Sequence, residues 1–83
     1  MKLVYFSWVR EKIGTTDEEL NPPNHINTVS DLINWLASRG DGYASAFADL
    51  SSIRIAINQK YVKEDATIRA DDEIAFFPPV TGG

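Results

Sequence analysis

Few side chains in this 83-residue sequence can do chemistry on their own. There is no cysteine, which removes a disulfide framework, a thiolate nucleophile, a thiolate metal site and a persulfide. His25 stands alone in a Pro/Asn turn, and one histidine cannot build a His-rich zinc centre. Asp71, Asp72 and Glu73 resemble a paired-carboxylate cluster, yet consecutive acids in a loop usually form a solvated turn. No His–acid or Cys–His pair falls at a spacing that suggests a stand-alone enzyme. What remains is the backbone at Pro78-Pro79-Val80-Thr81-Gly82-Gly83. The prolines end sheet pairing and favour an extended exit, and the glycines, lacking Cβ, can thread a narrow channel. A terminal carboxylate is a poor electrophile until adenylation with ATP supplies a leaving group. Sulfur attack would then leave a thiocarboxylate, and amine attack an amide. Sulfur chemistry therefore stays open to a chain without cysteine.

The composition narrows the partners. Eight basic residues against twelve acidic ones leave a net charge of -4, which argues against a phosphate-tracking nucleic-acid binder and suits a basic partner. A hydrophobic share of 43% with 24% charged residues is globular composition, not disorder. A chain of this size supports one domain, hides about 60% of its unfolded surface and leaves little room for a deep pocket. The opening MKLVYFSWVREK is too short and too quickly charged for a signal peptide or a span, so the expected location is the cytoplasm. With no repeat, low-complexity block or linker, the expected layout is a domain over 1–77 and an extended tail over 78–83.

The elements that must position this tail are legible as periodicities. Lys2 to Trp8 reads as a strand with two apolar faces, Leu3 and Tyr5 on one and Val4, Phe6 and Trp8 on the other. Such a strand is either covered on both sides or meets a partner protein. Val9 to Ile13 suits a short helical turn ending at Gly14, and Thr15 to Leu20 a polar edge strand. Thr28 and Asp31 make a capping box for a helix whose stripe is Val29, Leu32, Ile33 and Leu36, with Trp35 at its border. Gly40 is expected as its C′ residue, and a weaker helix spans Tyr43 to Leu50. IRIAIN alternates, with Ile53, Ile55 and Ile57 facing the core and Arg54, Ala56 and Asn58 facing away. A turn leads to a short Tyr61-Val62 strand, Ile68 plugs the core, and EIAFF closes the sheet with Ile74 and Phe76 opposite Ala75 and Phe77. The two apolar chain ends suit central parallel positions, with the long helix over one face. That is an α+β, β-grasp (ubiquitin-like) fold: a mixed sheet of about five strands packed on one main helix, with additional short helices.

The residues EIAFFPPVTGG, LVYFSWVREKIG, IAINQKYV and DDEIAFFPP resemble the small subunit of molybdopterin synthase, the MoaD family of sulfur carriers, over essentially the whole chain. The FFPPVTGG ending is its specific part. The resemblance implies a β-grasp domain with no catalytic side-chain constellation of its own. It implies that Gly83 is adenylated by an E1-like activating enzyme using ATP and magnesium. A cysteine desulfurase or rhodanese-like donor then converts it to a thiocarboxylate. The tail, Pro78, Pro79, Val80, Thr81 and Gly82 leading to Gly83, enters the large synthase subunit and gives up sulfur for the dithiolene formed from cyclic pyranopterin monophosphate. Two charged carriers serve each pterin, in a heterotetramer of two large and two small subunits. Interface positions of the family fall on Phe6, Arg10, Tyr61 and Phe77, and Tyr61 departs from the leucine of well-known relatives. No metal site, nucleic acid or membrane is implied.

Other readings share these residues. A thiamine-pathway carrier has the same fold, diglycine and adenylation but hands sulfur to a thiazole synthase. A ubiquitin-like conjugating or interaction module would instead form an isopeptide bond to a target lysine.

Overall fold

The alternating segments assemble into one sheet with two unlike faces. The computed structural model describes residues 1–79; Val80, Thr81, Gly82 and Gly83 lie outside the described residues. In chain order the elements are β1 (Lys2–Tyr5), α1 (Ser7–Ile13), β2 (Asp17–Glu19), α2 (Val29–Ala37), α3 (Asp41–Ala46), a 3₁₀ turn (Leu50–Ser52), β3 (Arg54–Ile57), β4 (Lys60–Val62) and β5 (Glu73–Phe77). The strand order is β2-β1-β5-β3-β4. β1 and β5 run parallel in register from Lys2↔Glu73 to Tyr5↔Phe76, and the other pairings are antiparallel. Both apolar ends of the domain thus sit inside the sheet, as the β-grasp expectation requires.

The helix α2 forms where its caps and stripe say it should. Asp31 N–H donates to Thr28 Oγ1 at 3.1 Å while Thr28 N–H donates to Asp31 Oδ2 at 3.2 Å. Two orphan donors of the first turn are thereby satisfied reciprocally. The backbone N–H bond from Asn27, with a further one from Thr28, holds the Asp31 carboxyl below the usual carboxylate range against the opposing effect of desolvation. Val29, Leu32, Ile33 and Leu36 are buried against the sheet. Each fully buried side chain of this size contributes roughly 1.5–3 kcal/mol. Phe76 lies in the middle of the core, its ring 6.0 Å from Tyr5 and 5.0 Å from Phe47. Ile68 is buried in the same cluster, which bears out its reading as a plug.

Three local expectations are corrected. Trp8 does not continue the outer stripe of β1. The chain leaves the strand at Phe6, passes through Ser7 at φ 56°, and carries Trp8 on α1, half-buried against the core. Gly40 is not the C′ residue of α2: the helix ends at Ala37 with Ser38 as its cap, and Gly40 is extended backbone that opens α3. The second helix begins at Asp41 and ends at Ala46, with Leu50 in a separate 3₁₀ turn. Gly14 does take the expected left-handed conformation, φ 95°, and its N–H closes α1 on the Arg10 carbonyl at 2.8 Å. At Gly42 a Cβ would stand 2.5 Å from the Lys12 carbonyl oxygen, so the close approach of α1 and α3 requires glycine there.

Candidate functional site

On the face of the sheet away from α2, the strand register brings separate residues into one patch. Val4 lies beside Ala75, Ala75 beside Ala56, and Ala56 beside Tyr61. Two alanines in the middle of that row leave a shallow floor, and larger rings stand around it. Phe6 and Phe77 meet edge to face with centroids 6.5 Å apart, and Tyr61 lies 5.7 Å from Phe77 at a 36° tilt. Ala56 is buried although it is outside the core cluster. Phe6 is 47% exposed and Tyr61 77% exposed, so rings that belong in a core face solvent. A groove of about 250 Å³ runs beside them, lined by Arg54, Ile55, Tyr61, Val62 and Phe77.

The patch surrounds the place where the tail departs. β5 ends at Phe77 and is followed by the half-buried Pro78 and Pro79, which belong to no strand. The expected tail residues Val80, Thr81, Gly82 and Gly83 lie outside the described residues. Arg10 is exposed on α1, one helical turn beyond Phe6, whose carbonyl accepts from Val9 N–H at 3.1 Å. Of the four side chains expected at an interface, Phe6, Tyr61 and Phe77 are therefore in one cluster, and Arg10 is on the adjoining helix. Among the described residues no group of three or more His, Cys, Asp or Glu side chains could hold a metal ion, and no helix is long and apolar enough to cross a membrane.

The profile of the ThiS family matches residues 3–83. The chain belongs to the ThiS family. It is 39% identical to the molybdopterin synthase sulfur carrier subunit of Escherichia coli strain K12 over 83 residues, covering 100% of this chain and 99% of the relative. It is 35% identical to the Haemophilus influenzae sulfur carrier subunit of the same name, again over 100% and 99%. The solution structure of the small archaeal modifier protein 1 from Methanosarcina acetivorans superposes with a TM-score of 0.72 at 25% identity, covering 99% of this chain and 94% of that one. This is a β-grasp sulfur-carrier homologue.

Two parts of this ThiS-family domain escaped the sequence reading. Glu18 on β2 accepts from Tyr5 Oη at 2.8 Å and from Tyr43 Oη at 2.6 Å, with Arg39 Nη1 at 3.7 Å. Arg39 also lies over the rings of Trp35 and Tyr43, 5.2 Å and 5.3 Å from their centroids. Burial, reinforced by the Glu18 carboxylate, pushes both phenols up, Tyr5 far above its ordinary range. These residues are far apart in sequence, and no period links them. The second part is Asp72, which is buried rather than solvated. It accepts from Asn58 Nδ2 at 2.9 Å and from Arg69 N–H at 2.8 Å, securing the Asn58-Gln59 turn with its positive φ values of 50° and 72°. Within the acidic run, Asp72 is thus a structural clamp.

Proposed function

We propose that this chain is the sulfur carrier subunit of a molybdopterin synthase. The observation that carries the reading is end-to-end similarity to sulfur carrier subunits of that name. The bare aromatic patch around the tail exit supports it, because a carrier needs a docking face beside its reacting end. In this reading residues 1–77 are the docking domain and 78–83 the delivery tail. The reacting atom belongs to the Gly83 carboxylate. An E1-like enzyme uses ATP and magnesium to make the glycyl adenylate, releasing pyrophosphate. The outer sulfur of a cysteine persulfide on a desulfurase or rhodanese-type donor displaces AMP to give an acyl disulfide. A thiol that attacks the donor's sulfur then breaks the S–S bond, releasing the thiocarboxylate as a new disulfide forms.

Phe6, Tyr61 and Phe77 then seat on the large subunit, Arg10 pairs at the edge of that contact, and the tail carries sulfur to the pterin precursor for dithiolene formation. Catalytic side chains come from the large subunit, in an assembly of two large and two small subunits located in the cytoplasm. Two small glycines at the end of a proline-stiffened segment suit entry into a confined site.

The test is intact mass spectrometry of the chain purified from cells that contain its activating enzyme. A gain equal to sulfur minus oxygen on the C-terminal peptide is expected, and removal of Gly83 should abolish it without unfolding the domain. Persistent absence of that gain would sink the carrier reading. An isopeptide bond to a lysine would favour the modifier, and transfer to a thiazole synthase the thiamine-pathway carrier.

A further inference from the structure

The strand order puts a second arginine at the tail exit. Arg54 opens β3 directly opposite Phe77, the last residue of β5, and it lines the same groove as Tyr61 and Phe77. β1 and β3 flank β5, so Phe6, which follows β1, and Arg54, on β3, lie on opposite sides of Phe77, and α1, which carries Arg10, packs against β5. Arg54 is exposed, and its Nη1 donates to the carbonyl oxygens of Ser51 at 3.3 Å and Ile53 at 3.1 Å. Those bonds hold one edge of the guanidinium against the backbone. Among the described residues it has no carboxylate partner, and the ion pair present, Arg39 with Glu18, lies elsewhere. The remaining donors of its planar fork match a carboxylate bidentately.

We infer that Arg54 is a docking residue for the large synthase subunit, pairing with a carboxylate on that partner beside the apolar socket that receives Tyr61 and Phe77. This rests on the proposed carrier reading and deepens it. A pre-held guanidinium loses less freedom on pairing than a loose one. Its place next to an apolar patch gives orientation as well as attraction: a partner offering a hydrophobic socket without a neighbouring acid fits less well. In a chain with net charge -4, a basic group at the tail exit also distinguishes this end of the sheet from the β2 edge, which carries Asp17, Glu18 and Glu19.

The experiment measures binding of the full chain to the purified large subunit by calorimetry, and the rate of adenylation by the activating enzyme, at several salt concentrations. Arg54→Glu should weaken large-subunit binding about tenfold or more and Arg54→Leu less, with both flattening the salt dependence. Adenylation should stay at the wild-type rate for both variants. Arg54→Leu keeps a strand-compatible side chain, so a folding defect in the charge reversal does not decide the outcome. Wild-type affinity and salt dependence in both variants, beside lost binding in Phe77→Asp, would overturn the role of Arg54 and leave the docking face standing. Unchanged binding in all three would overturn the docking face itself. Slowed adenylation with unchanged large-subunit binding would reassign Arg54 to the activating enzyme and also overturn the inference.

Discussion

The two faces of this sheet use neighbouring residues of the same strands for opposite ends. In β5, Phe76 is fully buried between Tyr5 and Phe47, while Phe77 points the other way and shares a half-open patch with Phe6 and Tyr61. The inner face is closed by α2 and by its own polar edge: Glu18 with two tyrosines and an arginine. Among the described residues no buried side-chain nitrogen or oxygen lacks a partner. The outer face has comparable aromatic chemistry, and among the described residues no helix covers Phe6 or Tyr61. Pattern alone makes a phenylalanine apolar-facing; what lies across from it decides between stability and recognition.

The largest expected effect separates the two phenylalanines. Phe76→Ala removes a ring enclosed on all sides and should destabilise the domain by about 3–5 kcal/mol, seen as a large fall in the urea midpoint of the isolated chain. Phe77→Asp should instead change the unfolding midpoint little. It should weaken binding to the large subunit more than tenfold, or about 1.4 kcal/mol and above. If the charged variant lost as much stability as Phe76→Ala, Phe77 would count as core and the contrast between faces would fail.

How much of this contrast was readable from sequence depends on the range of the interaction. Period-two alternation in EIAFF and IRIAIN separated Phe76 from Phe77 and Ile55 from Arg54 correctly, because neighbouring strand side chains point to opposite faces. The capping box of α2 was readable for the same reason: Thr28 and Asp31 are three residues apart. Alternation puts Trp8 on the outer stripe because it cannot see the backbone turn through Ser7 that converts the strand into α1. Gly40 was misjudged because a glycine after a helix can equally open the next one. The Glu18 cluster joins β1, β2, α3 and the segment after α2, and Asp72 reaches back to Asn58. No local pattern records either. The prolines and glycines of the tail suggest a type of chemistry, whereas the place of Arg54 opposite Phe77 follows only from strand order.

A smaller effect tests the polar edge of the inner face through pH. The folded state raises the pKa of Tyr5 and of Tyr43 above the ordinary value of 10.0, chiefly through burial and then through Glu18. Unfolded tyrosines therefore ionise first. Folding stability from this cluster is fully present below about pH 10. It falls as pH climbs from there toward the raised folded values, because the folded state then holds more protons than the unfolded one. Urea unfolding between neutral pH and the alkaline limit should show that decline, and Tyr5→Phe with Tyr43→Phe should remove its steepest part. An identical alkaline slope in the double variant would detach the decline from this edge.

The smallest effect examines whether the faces are energetically separate. Thr28→Ala removes the acceptor for the Asp31 N–H and should loosen the first turn of α2 by about 1 kcal/mol. For a domain of this size that lowers Tm by roughly 4–8 °C. α2 covers only the inner face, so large-subunit affinity measured well below the variant's Tm should match that of the unmodified chain. If affinity fell in step with Tm, the outer patch would depend on the helix behind it. The sheet would then transmit inner packing to the docking surface. Unchanged affinity would instead show that Phe6, Tyr61 and Phe77 are held by strand register and by one another, which their ring spacings of 5.7 and 6.5 Å already favour.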